Sequence, residues 1–239
     1  MTWSILARDG HGRFGAAIAS RFFAVGALCV HTRRGVGALA TQALMNPLYG
    51  PAGLERLAAG QAATDIVAAL TAGDPGRAQR QLHLIGASGS GAARTGGQCI
   101  DWCGHFVGED FSIAGNMLAG AQVLRATIDA WLDNAGRPLA ERLIEALGAG
   151  EAAGGDKRGR QSAALRIHGD EDYPELDMRV DDHAEPIAEL RRLYAVSLER
   201  FQPFAACLAG RRDPVGVTDR AEIEARIARF TAARRGSTA

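Results

Sequence analysis

Thr2 is the residue with the clearest route to chemistry. If removal of Met1 exposes it, one carbon skeleton carries both a hydroxyl and a free α-amine. An α-amine has an unperturbed pKa of about 7.7–8.0. Part of it is therefore neutral near pH 7 and can take a proton from the hydroxyl beside it, the threonine–N-terminal-amine form of an activated nucleophile. A β-branched residue also simply suits a strand, so residue type alone does not decide. Other polar groups stand where a site is lined. Gln42 ends a strand, Asn46 opens the turn after it, and Asn116 follows another strand. The glycine-rich stretch 154–160 carries Asp156, Lys157, Arg158 and Arg160, whose cations and backbone N–H groups can hold a carboxylate or phosphate.

Thr2 needs elements that fix it in place. Residues 3–8 and 13–20 read as a hairpin turned by Asp9-Gly10-His11-Gly12, where glycine supplies the positive φ of a tight turn. A terminus inside a sheet has a defined position, unlike the frayed ends of most chains. Strands follow at 27–31 and 36–41, helices at 51–59 and 62–72, and strands at 80–86, 92–95, 104–108 and 111–115. Helices at 118–131 and 139–147 lead into a loop over 148–160. Strands at 161–168 and 176–180, a helix at 186–199 and a helical tail over 221–232 complete the chain, with 234–239 expected to be loose. Hairpin-joined strands make the sheets largely antiparallel and the class α+β. Two sheets stacked face to face, each covered by helices, use every apolar face. A domain over 1–200 and a helical C-terminal extension over 201–239 are expected.

The totals restrict the function. Lysine plus arginine equals aspartate plus glutamate at 27 each, so no global field draws in nucleic acid or an acidic membrane. No stretch approaches the roughly 20 apolar residues of a membrane span, and no basic region followed by an apolar core marks a signal peptide. The expected setting is cytoplasmic, where the four cysteines are reduced. Cys99-Ile-Asp-Trp-Cys103 has the wrong spacing for a zinc knuckle or a redox pair. The six histidines show no metal spacing. Gly150-xxxx-Gly155 has Asp156 where a phosphate loop needs lysine, and the partial dinucleotide fingerprints at 35–40 and 89–91 do not join a strand to an amphipathic helix. No metal and no cofactor are expected.

Several stretches together carry a resemblance. They are 2–9 (TWSILARD), 22–26 (FFAVG), 40–43 (ATQA), 46–50 (NPLYG), 115–118 (GNML), 153–159 (AGGDKRG), 161–164 (QSAA) and 179–183 (RVDDH). The chain resembles the bacterial and archaeal family called domain of unknown function 1028 over about 1–194. That family is placed by fold in the N-terminal-nucleophile (Ntn) hydrolase superfamily. The resemblance implies a four-layer αββα sandwich, and by position it carries over Thr2 as the nucleophile. The function it implies is an amidohydrolase acting on a small amide or peptide-like substrate. Backbone N–H groups near Thr41 and Gln42, or the Asn116 side chain, would stabilise the oxyanion. Asn46, Asp156, Lys157 and Arg158 would orient the substrate, a nearby lysine lowering the pKa of the amine. The alternative is a non-catalytic protein of the same fold that binds a small anionic metabolite at the glycine-rich loop. A homo-oligomer is expected in either case.

Overall fold

The computed structural model describes residues 2–237. They form ten strands and seven α-helices that fall into two compact units dividing after Leu190. In the first unit, strands β1 (Thr2–Arg8), β2 (Phe14–Ser20), β3 (Val30–Arg33), β4 (Gly37–Ala43) and β5 (Arg80–Gly86) are followed by β6 (Gly91–Thr95), β7 (Trp102–Val107), β8 (Phe111–Leu118), β9 (Ser162–His168) and β10 (Leu176–Val180). Helices α1 (Tyr49–Ala58), α2 (Ala63–Ala72), α3 (Ala121–Asp133) and α4 (Leu139–Ala152) lie between them, and α5 (Pro186–Ser197) begins in this unit. The second unit holds the end of α5, with α6 (Phe201–Ala205) and α7 (Arg220–Ser237), which Arg200 and Glu224 tie together at 3.0 Å.

The strands make two sheets in which every pairing is antiparallel. One has six strands in the order β10-β9-β2-β1-β8-β7, the other four in the order β3-β4-β5-β6. Period-two alternation explains how the sheets bury both faces. Along β1, Trp3 and Ile5 face α4, while Thr2, Ser4 and Leu6 face the second sheet. Along β5, Leu82 and Leu84 join Leu39 and Ile66 under α1 and α2, while Gln81, His83 and Ile85 face the first sheet. Leu6, Phe14, Ile18, Ala38, Ala40 and Ile85 form one apolar cluster between the sheets. At β1's beginning the layer turns polar: Thr2, Ser4, Gln42, Gln81, His83 and Asn116 are all buried there.

Some elements differ from the sequence reading. The third strand starts at Val30 rather than 27, because Ala24 at φ 50° opens a 3-10 turn over Val25–Ala27. Strand β8 continues to Leu118, which pairs with Trp102; Met117 at φ 52° and Gly120 then delay the helix to Ala121. Helix α4 runs on to Ala152 through Gly148 and Gly150, where a loop was expected. Gly150 is there for close approach: a Cβ on it would lie 2.8 Å from Trp3 Nε1 and collide with Thr127 Oγ1. The tail is helical through Ser237, beyond the expected 232; the last two residues of the tail expected to be loose, and Met1, lie outside the described residues.

Candidate active site

The hairpin positions Thr2. Register along β1 and β2 runs from Arg8 opposite Phe14 to Thr2 opposite Ser20, so counting back from the turn brings the two hydroxyls together. Thr2 Oγ1 and Ser20 Oγ are 3.0 Å apart, and both residues are buried. On the other side β8 pairs Thr2 with Asn116. The Thr2 carbonyl accepts from Asn116 Nδ2 at 3.4 Å and from Gln42 Nε2 at 3.5 Å.

Behind Thr2 runs a buried polar chain. Gln81 Oε1 accepts from Gln42 Nε2 at 2.7 Å and from Asn116 Nδ2 at 3.1 Å. Gln42 Oε1 accepts from Ser4 Oγ at 2.7 Å; Ser4 Oγ lies 2.8 Å from His83 Nε2, and His83 Nδ1 lies 3.0 Å from Ser112 Oγ. Burial pushes the His83 pKa down to about 3, so the ring is neutral. A buried polar group without a partner costs about 1–3 kcal/mol, and here the chain meets almost every need. The exception is Asn116 Oδ1, which is buried and receives no hydrogen bond.

Thr2, Gln42 and Asn116 open onto a cavity of about 330 Å3. Val25, Cys29, Met45, Cys99 and Met117 form an apolar and sulfur-bearing part of its wall, Gln79 and Gln98 add a polar part, and Phe22, Leu44 and Ile100 are exposed around it. Cys29 Sγ contacts Met45 Sδ at 3.3 Å. Burial pushes the Cys29 pKa up to about 12 and raises that of Cys99 as well, so these thiols are not thiolates at neutral pH. A larger cleft of about 690 Å3 lies at the far end of the hairpin, by Arg8, Asp9, Arg13 and Arg142. Among the described residues its lining offers no hydroxyl, thiol or amine nucleophile, and Arg8 and Arg13 are paired with Asp110 and Asp9.

The structure brings together Thr2, Gln42, Asn116 and Arg158, which also lines the smaller cavity. It does not bring the other candidates there. Asn46 shapes its own turn, accepting from Leu48 N at 3.1 Å and donating to Asp74 at 3.4 Å. Asp74 also accepts from Tyr49 and Arg80, which hold its carboxyl well below the usual range. Asp156 anchors the glycine-rich loop, accepting from the backbone N–H groups of Arg21 at 2.7 Å and Arg158 at 2.8 Å. Lys157 points to Asp101 at 3.0 Å and is largely exposed. Ser20, Gln81 and His83 were missed. Hairpin register is the signal that finds Ser20. Gln81 and His83 stand out as two polar residues on one face of an otherwise apolar strand.

Fold and cavity together define a mixed α and β protein with two antiparallel sheets and a strand-initial threonine beside a cavity of mixed polar and apolar lining. The chain belongs to the Family of unknown function (DUF1028), which it matches over residues 2–190, ending where the first compact unit ends. A crystal structure of a family member from Silicibacter pomeroyi is similar to it, with a TM-score of 0.84 and 31% identity, covering 91% of this chain and 99% of that one. A solved structure of Anbu (ancestral beta-subunit) from Yersinia bercovieri aligns at a TM-score of 0.39 and 13% identity, over 82% of this chain and 94% of that one, a likeness too low to carry an argument. No curated protein matches. Among the described residues no helix is long and apolar enough to cross a membrane.

Proposed function

We propose that this protein is an amidohydrolase of the N-terminal-nucleophile type, its sheets and helices layered as an αββα sandwich, with Thr2 as nucleophile. The observation that carries the reading is the placement of Thr2: its hydroxyl is buried against Ser20 at the edge of a preformed cavity, and its carbonyl is held by two side-chain amides. Once Thr2 is the first residue, its α-amine takes the proton from Oγ1 as Oγ1 attacks the amide carbonyl. The tetrahedral intermediate collapses as the C–N bond breaks, and the proton passes to the leaving amine. Water then attacks the acyl ester, the amine again serving as base, and releases the acid. Gln42 and Asn116 act as positioning residues, because their Nε2 and Nδ2 groups already donate to Gln81 and to the Thr2 carbonyl. Asn116 Oδ1, without a donor, is the acceptor for an N–H of the Thr2 amine. A polar cluster kept inside the core supports a functional reading, since natural sequences depart from an apolar interior chiefly at such sites.

The loop over 154–160 is a weaker candidate for an anion receptor. Lys157 pairs with Asp101, Arg158 with Asp156, and Arg160 with Glu151 and Glu185. The test of the hydrolase is incubation of the purified protein with an electrophilic ester or β-lactone, followed by intact-mass analysis. One acyl group is expected on the wild type and none on Thr2→Ala. Equal labelling of both would overturn the assignment.

A further inference from the structure

The larger cleft, of about 690 Å3, lies beside Arg8 at the opposite end of β1 from Thr2. Its volume falls in the range of about 300–1,000 Å3 that small organic ligands occupy. Four arginines line it, and they are of two kinds. Arg8 is paired with Asp110 at 3.1 Å and Arg13 with Asp9 at 2.7 Å. Among the described residues Arg137 and Arg142 make no ion pair.

Arg142 is held in place without being neutralised. Its Nε donates to the Trp131 carbonyl at 2.6 Å, and its guanidinium lies over the Trp131 ring, 3.4 Å from the centroid. Stacking and the single hydrogen bond fix the plane of the fork. They leave both terminal nitrogens without a protein partner among the described residues. Burial lowers the pKa of this half-buried group, with no carboxylate opposing the effect. A cation drawn out of water ordinarily has a counter-charge, and here a ligand oxoanion would supply it. Arg137 stands exposed in the α3–α4 connection, its backbone N–H fixed to the Asn134 carbonyl at 3.0 Å. Asp9 and Asp110 are committed to Arg13 and Arg8, so the exposed Glu109 is the one remaining carboxylate of the lining. The uncommitted side chains therefore favour an anion. Leu132 and Pro138 add exposed apolar lining where a carbon body can sit.

We propose that this cleft is a second binding site, separate from the cavity at Thr2, for small organic anions. A carboxylate or phosphate monoester group is held by the Arg142 fork with Arg137 beside it, and the carbon body lies along Leu132 and Pro138. A planar guanidinium presents parallel donors that match either oxoanion in a bidentate contact. The site does not depend on the hydrolase reading.

The experiment is titration calorimetry on the full-length protein with glutarate, glycerol 3-phosphate, inorganic phosphate, glycerol and putrescine. Glutarate, glycerol 3-phosphate or both are expected to bind at a single site, more tightly than inorganic phosphate and more weakly as salt is added. Which of the two binds distinguishes a carboxylate ligand from a phosphate ester. Glycerol and putrescine should not bind. Arg142→Lys keeps the charge and loses the fork, and should weaken binding about tenfold. Arg137→Gln should also weaken it; that residue is exposed, which covers the case in which the Arg142 variant fails to fold. Thr2→Ala and Arg158→Gln should bind as the wild type does, so failure of the hydrolase would leave this site standing. Inorganic phosphate binding as tightly as the organic anions would overturn the organic class. Binding that survives in both Arg142→Lys and Arg137→Gln, binding lost in Arg158→Gln, preference for putrescine, or no binding across the panel would overturn the site.

Discussion

Gln81 decides which end of the Asn116 amide faces Thr2. Its Oε1 accepts from Asn116 Nδ2 at 3.1 Å, and its own orientation is held because Nε2 donates to Thr95 Oγ1 at 2.8 Å, to the Gly115 carbonyl at 2.9 Å and to the Gly104 carbonyl at 3.0 Å. A flipped Gln81 would set its oxygen against two carbonyls. The Asn116 Nδ2 group is thereby committed to Gln81 and to the Thr2 carbonyl, and Oδ1 is left buried without a hydrogen bond.

Gln81→Leu should therefore loosen the site from behind. It removes the partner of Gln42 and Asn116 and leaves buried groups unpaired, each worth about 1–3 kcal/mol. A stability loss of about 3 kcal/mol is expected in urea denaturation, together with slower acylation of Thr2 by the electrophilic probe.

Asn116 separates two roles. Asn116→Leu removes the acceptor and should slow acylation of Thr2 about a hundredfold. Asn116→Asp keeps an acceptor but adds a negative charge, which favours the charged form of the Thr2 amine and raises its pKa. The pH–rate profile of acylation should move to higher pH in Asn116→Asp. An unmoved profile would place Asn116 away from the amine.

His83 sets a pH dependence of stability. Its folded pKa is lowered by burial from 6.5 to about 3, so between those values the unfolded chain binds the extra proton. The contribution is complete above pH 6.5 and is lost as pH falls, at about 1.4 kcal/mol per pH unit. Burial lowers the pKa of His31, His105 and His168 in the same direction. Denaturation curves between pH 7 and pH 4.5 should show falling stability, and His83→Gln should reduce the slope. That range stays above the window where the contribution of the paired carboxyl of Asp74 is lost, since its pKa is held low by Tyr49 and Arg80.

Gly150 tests the close packing of α4 on Trp3. A methyl group there would lie 2.8 Å from Trp3 Nε1, and overpacking of this kind costs about 1–3 kcal/mol. Gly150→Ala should destabilise the protein by that amount in thermal or urea unfolding, even though alanine is the better helix former.

The same glycine shows where the sequence was hard to read. Its stretch has loop composition, and only contact with β1 and α3 makes glycine the residue that lets a helix pass. The opening hairpin was legible because its turn chemistry is local, and the 80–86 and 176–180 strands because apolar residues mark them. The convergence of Thr2, Gln42 and Asn116 was legible in part, since all three sit at strand ends. Gln81 and His83 were not. Polar residues at alternate positions of a strand ordinarily face water, and only the stacking of a second sheet turns that face inward. Asn46, Asp156 and Lys157 had suitable chemistry, but it serves to shape a turn and to tie loops together.

The most direct test of the account is the intact mass of the protein before and after reaction with an amide-mimicking electrophile. The account predicts a mature chain beginning at Thr2 that gains one acyl group on that residue, and no gain in Thr2→Ala. A chain that retains residues ahead of Thr2 while hydrolysing amides, or a Thr2→Ala variant that is acylated in full, would contradict it.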